Sequence, residues 1–472
     1  MSEAAIAVTG HDTIAAIATA SGRGAVALVR VSGPRAFAVA EALGAPAGAG
    51  AVVRMAVRCL LRDAETGEAL DDALVTRFVG PHSFTGEDVV EISTHGGRVV
   101  PVTVLAACLR AGARQAGPGE FTRRALLNGR IDLLQAEAIQ DLVDARTSAM
   151  SRVAVAQLDG GLSRRLLALR SEIIQLEVLL AYDIDFPEED DGPIAPARIA
   201  GAVVAVRESL EKLLATAPRA AMVRDGALVV IAGPPNAGKS SLFNALLGEA
   251  RALVTEIPGT TRDAIEALLD TPGMPIRLVD TAGLRETADV VERLGIEVSE
   301  KYLAQAQMVL ACAEDVVGLV TTMERVRPLT SAPIVAVLTK ADSRANLLGD
   351  VALAGPAVGG VVMAVSAENG TGLRALIADI VARLTGVRSE RGDAGTADEG
   401  TAPITRERHH IALTQALEEV REFERAWRED EVPATIAAVH LRSAVHVLDE
   451  LVGSVSVDDV LDRLFREFCV GK

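Results

Sequence analysis

Residues 227–241 read ALVVIAGPPNAGKSS, and this stretch constrains the fold around it more than any other in the chain. An apolar, β-branched run ends in G-x-x-x-x-G-K-S, and the helical pattern SLFNALLG follows at once. A phosphate-binding loop requires that strand–loop–helix context. Gly233 and Gly238 let the backbone curl so that its amides face phosphates. Lys239 brings positive charge to the β and γ positions, and the Ser240 hydroxyl can ligate Mg2+. A strand–loop–helix alternation runs from Ala227 to about Leu384, so a parallel-sheet α/β domain is expected there.

Further elements follow in order. GTTRD (259–263) offers the hydroxyl of Thr261 to complete the Mg2+ shell when a γ-phosphate is present. IRLVDTAG (276–283) is a strand ending in Asp280, which can hold Mg2+ through water, and it leaves the Gly283 amide free to sense the γ-phosphate. IVAVLTKAD (334–342) ends a strand with Thr339, Lys340, Ala341 and Asp342. Asp342 can accept from guanine N1–H and the exocyclic amine, while the Lys340 stem lies along the ring. Adenine lacks that pair of donors, so an ATPase is the weaker reading. VVMAVSAENGTG (361–372) adds Ser366 and Ala367 as the last guanine-loop element. Together these predict a GTP-binding domain.

The means of hydrolysis is less usual. A Ras-type site orients water with Gln directly after D-x-x-G, but Leu284 stands there. An arginine finger is worth about 10³–10⁵ in rate, and none is evident in cis. Asn236 can lend an amide oxygen to a cation beside the β/γ bridge, or simply brace the loop. Glu292, in ETADVVERLGIE, can reach the water if its segment closes, or be a solvated helix charge.

The chain has 472 residues, enough for about three domains. Residues 12–35 give two β-rich runs around a Gly-rich turn; GAPAGAG (44–50) reads as a loop, and DDALVTRFVG and EDVVEISTHGG read as strands. Apolar residues recur at helical spacing from Phe121 to Tyr182, broken at Gly160-Gly161. DIDFPEEDDGP (183–193) is an acidic turn; helix resumes to about residue 218 and again from Thr405 to Phe468, after a linker at 388–403. The expected boundaries are 1–120 for an N-terminal α/β domain, 121–222 and 388–472 for the two parts of an all-α domain, and 223–387 for the inserted α/β domain. The N-terminus lacks a basic n-region, so no secretory signal is expected. No apolar run of about 18 residues suggests a membrane span. Four cysteines with no close pair argue against a disulfide framework and fit a reducing cytosol. A net charge of −17 argues against a broad nucleic-acid footprint, although Arg123, Arg124, Arg130, Arg146 and Arg152 could form a local patch or simply line a solvated helix. The histidines at 409, 410, 440 and 446 lack metal-ligand spacing on one helix face, and His95 beside its Gly turn reads as structural.

The chain ends FCVGK, with Cys469 where a prenylation signal would place it, but Val470-Gly471-Lys472 does not fit C-a-a-X. Ser456 is a good N-cap with Asp459 three residues on. Val457, Val460, Leu461, Leu464, Phe465 and Phe468 then share one face of a last helix. The tail is therefore expected to be anchored.

Over nearly its full length the chain resembles the bacterial and organellar tRNA-modification GTPases of the MnmE or TrmE family. The resemblance rests on DTIAAIATASGRGAVALVRVSG, HSFTGEDVVEISTHGG, PGEFTRRALLNGRIDLLQAEAI, IDFPEED, GPPNAGKSSLFNAL, GTTRD, DTAGLRE, VERLGIE and the closing FCVGK. It implies an α/β N-terminal domain that binds a tetrahydrofolate derivative and mediates homodimerisation, and a G domain inserted in a helical domain. It also implies potassium-dependent G-domain pairing, with K+ held by Asn236 and by groups around Thr255, Ile257 and Thr260. Glu292 would orient the water. Nucleotide contacts would include Asn236, Ala237, Gly238, Lys239, Ser240 and Ser241; Thr255 with Glu256, Ile257, Pro258, Gly259, Thr260 and Thr261; Asp280 with Thr281, Ala282 and Gly283; and the guanine loops. Folate contacts would be Arg30, Glu91, Arg130 and Lys472, with Cys469 near the one-carbon unit as nucleophile or structural contact. The implied activity is cytoplasmic modification of the wobble uridine at C5 in certain tRNAs, in a heterotetramer-type complex with a flavin-dependent partner. Two positions depart from the family pattern. Thr339 replaces the usual Asn, which predicts weaker guanine affinity, and Arg130 replaces a frequent Lys. A regulatory GTPase of ribosome assembly is the rival reading; a dynamin-like GTPase would need membrane contacts, and no basic amphipathic helix is present.

Overall fold

The computed structural model describes residues 12–46, 52–185, 195–253, 265–280, 300–343, 347–386, 403–429 and 434–453, with Phe468, Val470 and Gly471. The chain divides into two compact units, residues 1–140 with 446–472 and residues 141–445.

In the first unit, β1 (Ile14–Ile17) and β2 (Val26–Ser32) flank the Gly-rich turn. α1 (Ala36–Ala42), β3 (Val57–Arg62), β4 (Ala69–Phe78), β5 (Val89–His95), α2 (Val100–Arg110), β6 (Arg114–Gln115), α3 (Glu120–Leu127) and α4 (Leu133–Asp144), whose last four residues belong to the second unit, follow. The sheet order is β3-β4-β5-β2-β1-β6, antiparallel except for the β1–β6 pair. Strand alternation decides which side is core. Val29, Val31, Val90 and Ile92 are fully buried and pack with residues of α1 and α2, each contributing about 1.5–3 kcal/mol. Arg30 and Glu91, out of phase with them, are register partners and only half-buried.

The tail belongs to this unit. Phe468 packs on Leu133 and Ala136 of α4, and Val470 forms an isolated antiparallel bridge with Pro118. Gly471 has φ +101°, and a Cβ there would lie 2.3 Å from the Ile17 carbonyl oxygen, so only glycine fits. The expected last-helix residues from Ser456 to Phe465 lie outside the described residues, as do Cys469 and Lys472.

The second unit opens with helices α5 (Ser148–Leu158), α6 (Gly161–Asp185), α7 (Pro196–Leu214) and α8 (Ala217–Asp225). The break expected at Gly160-Gly161 separates α5 from α6. The α/β domain contains β7 (Ala227–Ala232), α9 (Lys239–Glu249), β8 (Arg251–Leu253), β9 (Ile265–Asp270), β10 (Ile276–Asp280), β11 (Met308–Ala313), α10 (Val316–Val326), β12 (Ile334–Leu338), α11 (Leu347–Val358), β13 (Val362–Ala364) and α12 (Leu373–Thr385). Helix returns with α13 (Glu407–Glu429) and α14 (Ala434–Val452), the latter belonging to the first unit from His446 on. The α/β domain is thus inserted in a helical one, behind the N-terminal α/β domain.

The second sheet runs β13-β12-β11-β7-β10-β9-β8, parallel except where β9 and β8 turn back. β7 is buried at every position because helices cover both faces. It also lies where the strand order reverses, between β10 and β11, and such switch points open a crevice at the strand ends. The β9–β10 turn is fixed at its tip. Met274 is fully buried among Ala149, Val223 and Ala227, and the Ser148 hydroxyl donates to Asp270 Oδ2 at 3.0 Å. Among the described residues no helix is long and apolar enough to cross a membrane.

Candidate functional site

The phosphate loop follows β7, and its sequence is dictated by crowding. A Cβ on Gly233 would sit 2.2 Å from the Cys312 carbonyl oxygen at the end of β11, and Gly238 has φ +74°. Asn236 also adopts a positive φ, +63°, and is exposed at the loop's outer turn. α9 begins at Lys239, so its free amides and positive dipole end face the loop, an arrangement suited to phosphate. The Lys239 side chain is buried and its Nζ donates to the Pro234 carbonyl at 2.7 Å, bending back across the loop.

Ser240, on the first turn of α9, donates its hydroxyl to Asp280 Oδ2 at 2.7 Å, and Asp280 is fully buried at the end of β10. A hydroxyl and a carboxylate held together beside a phosphate loop are the hard oxygen donors that Mg2+ prefers, so these residues fit that ion. On the guanine side, the buried Thr339 hydroxyl lies 2.8 Å from the Ala237 carbonyl and 3.1 Å from that of Ala313, tying this loop to the phosphate loop. The Ala341 amide donates to the Val365 carbonyl and the Ser366 hydroxyl to Asp342 Oδ1 at 2.5 Å, so Ser366 abuts Asp342. The Ser366 hydrogen bond holds the exposed Asp342 carboxyl below its ordinary range, so it stays an acceptor at neutral pH. Lys340, at φ +53°, is ion-paired with Glu314, a partner the sequence did not suggest.

Thr255 to Thr261, Thr281 to Gly283 and Glu292 lie outside the described residues. Cys59, Cys108 and Cys312 are free and buried, and desolvation pushes the thiols of Cys108 and Cys312 up to about 12, where they are inert as nucleophiles.

A second polar site lies in the first unit. Arg30 donates to Glu91 Oε1 from Nε (3.0 Å) and Nη2 (2.8 Å), and its guanidinium lies 5.2 Å from the Phe84 ring centroid and 5.7 Å from that of Phe121. Arg130 Nε donates to the Ser83 carbonyl at 3.2 Å. Three of the four folate candidates are thus described, two of them paired with each other.

Behind them is a network that the sequence reading missed, built from Asp12, Glu87, Arg114, Glu120 and Arg124. Arg124 donates to Asp12, Glu87 and Glu120, and Arg114 to Asp12 and Glu120. Arg124 is 3% exposed, which removes it from the expected basic patch. A guanidinium that three carboxylates have taken out of water is unavailable to nucleic acid. His95 Nδ1 pairs with Asp71 Oδ1 at 2.7 Å on the exposed end of β5.

Comparison with known proteins bears on the family of the whole chain. The family model for the MnmE helical domain matches residues 133–469, and that for the GTP-binding protein TrmE N-terminus matches residues 13–130. The tRNA modification GTPase MnmE of Heliobacterium modesticaldum is 40% identical over 467 residues, covering 98% of this chain and 99% of that protein. Its counterpart in Ectopseudomonas mendocina is 41% identical over 468 residues, covering 98% and 99% respectively. Among solved structures, the G domain of the T. maritima FeoB iron transporter is 26% identical over 34% of this chain and 98% of that one; its TM-score of 0.27 is too low to bear on the fold.

Proposed function

The chain belongs to the MnmE family of tRNA modification GTPases, and on that premise we propose a potassium-stimulated GTP hydrolysis coupled to modification of tRNA at the wobble uridine. The chain would act as a homodimer in the cytoplasm with a flavin-dependent partner, adding a (carboxymethyl)aminomethyl group at C5 with a tetrahydrofolate as carbon donor. The observation that carries the nucleotide part is the convergence of four strand ends on one crevice: Lys239 and Ser240 after β7, Asp280 on β10, Thr339 to Asp342 after β12 and Ser366 after β13.

In this reading the α9 amides and Lys239 bind the β- and γ-phosphates, and Ser240 and Thr261 would hold Mg2+, with Asp280 acting through water. Bound Mg2+ neutralises charge on the phosphate oxygens. Asp342 accepts from the guanine N1–H and amine while Ser366 keeps it in place. Asn236, with Thr255, Ile257 and Thr260, would hold K+, whose charge would offset that developing on the phosphates, and Glu292 would orient the attacking water. Arg30, Glu91, Arg130 and Lys472 form the folate site; a carboxylate suits the donor edge of a pterin, and guanidinium or ammonium groups suit the carboxylates of its tail.

GTP turnover in KCl and in NaCl at equal ionic strength tests the mechanism. Strong stimulation by K+, lost in both Asn236→Ala and Glu292→Ala, is expected. Equal rates in the two salts would remove the cation mechanism and favour an ordinary switch that awaits an external activator.

A further inference from the structure

Loop 83–88, which precedes β5, is tied down more firmly than a surface connection needs. The buried Ser32 hydroxyl donates to Glu87 Oε2 at 2.6 Å, so the hydrogen bond between Ser32 and the buried Thr85 hydroxyl (2.7 Å) must have Thr85 as donor. Glu87 also accepts from Arg124 Nη1 at 3.1 and 3.2 Å, which links the loop to the buried network. On the other flank, Asn128 Nδ2 donates to the Thr85 carbonyl at 2.7 Å, Arg130 Nε to that of Ser83, and the Ser83 hydroxyl to that of Glu87 at 2.5 Å.

Phe84 stands between these anchors with 37% of its surface exposed. An aromatic ring held rigidly in the open, with a cation over its face and a carboxylate beside that cation, is suited to recognising a flat polar ring. The Arg130 Nε bond to Ser83 fixes the direction of the rest of its guanidinium fork.

We propose that Glu87 is the positioning residue of this site. Through Ser32 and Arg124 it fixes loop 83–88 so that Phe84 offers its ring, with Arg30 over it and Arg130 anchored on the adjacent Ser83 carbonyl, to a heteroaromatic ligand bearing carboxylates. The inference rests on the folate reading above.

Calorimetric titration of the full chain with 5-formyltetrahydrofolate, paired with amide hydrogen exchange, tests it. Phe84→Leu is expected to raise Kd about three- to tenfold, and Glu87→Ala by at least as much. Glu87→Gln keeps an acceptor for the Ser32 hydroxyl, and Arg124 keeps Asp12 and Glu120, so this variant retains most of the affinity. Exchange at residues 83–88 should quicken in Glu87→Ala while β2 and β5 stay protected. Should Glu87→Ala fail to fold, Ser32→Ala removes the hydroxyl link alone and is expected to act in the same direction. A wild-type chain that binds, beside a Glu87→Ala chain unchanged in affinity and exchange, overturns the inference alone. A wild-type chain that does not bind the folate overturns the folate reading and the inference with it.

Discussion

Replacing Thr339 with valine removes a single hydroxyl while keeping the volume and the β-branched shape. The Ala313 carbonyl retains the Thr339 backbone amide at 2.9 Å, so the loss falls on Ala237, whose carbonyl lies 2.8 Å from the hydroxyl. Stripping a donor from a buried carbonyl costs about 1–3 kcal/mol. Ala237 belongs to the phosphate loop, so most of that cost should appear in nucleotide affinity, as a GDP Kd roughly 5- to 150-fold weaker. Equilibrium displacement of a fluorescent GDP analogue measures it. Thr339→Ser should stay near wild type, and Thr339→Asn, whose amide can reach the same carbonyl, should match or exceed it. A valine variant with unchanged Kd would refute the bracing role, as would equal losses in valine and serine.

Acid sensitivity should come from the buried network of the first unit. Burial pushes the Glu120 carboxyl up, but hydrogen bonds from Arg114, the Gly117 amide and Arg124 outweigh it and hold the group below its ordinary 4.5. A carboxyl depressed in the folded state contributes its full stability above the unfolded value and loses it as pH falls through the folded one. Thermal unfolding should therefore show stability declining below about pH 4.5, and Glu120→Gln should be less stable at neutral pH with a flatter acid limb; an unchanged limb would exclude Glu120 as its source. For the tail, Gly471→Ala places a Cβ 2.3 Å from the Ile17 oxygen in a conformation that costs about 1–2 kcal/mol for an L-residue. Amide exchange at Val470 should accelerate and the chain should become more open to carboxypeptidase; unchanged rates would mean the tail is held by other contacts.

What the sequence made legible differs between the two units for a physical reason. The proposed nucleotide site draws on strand ends, and each contributes a short contiguous motif, so local patterns were enough to single out Lys239, Ser240, Asp280, Asp342 and Ser366 as candidates. The runs that became β2 and β5 likewise read as strands from the sequence alone. The network around Arg124 is different: its carboxylates come from three separate segments, at Asp12, Glu87 and Glu120. No spacing rule joins such residues, and an arginine in a helical run reads as solvated surface because most are. Phe84 went unnoticed for the same reason, since the anchors on its neighbours are long-range hydrogen bonds. The ion pair of Lys340 with Glu314 depends on β11 lying beside β12, which only topology reveals.

The tail also sets an order of events for biosynthesis. The sheet of the first unit leaves the ribosome early, yet Phe468, Val470 and Gly471 are seated against α4, Pro118 and β1. During translation that surface stays uncovered while the whole second unit is made, and it closes only when these late residues arrive. Contacts so distant in sequence form late and slowly, and in the interval the exposed apolar ground of Leu133 and Ala136 is where a nascent chain would be most open to chaperones or to misassembly with its neighbours.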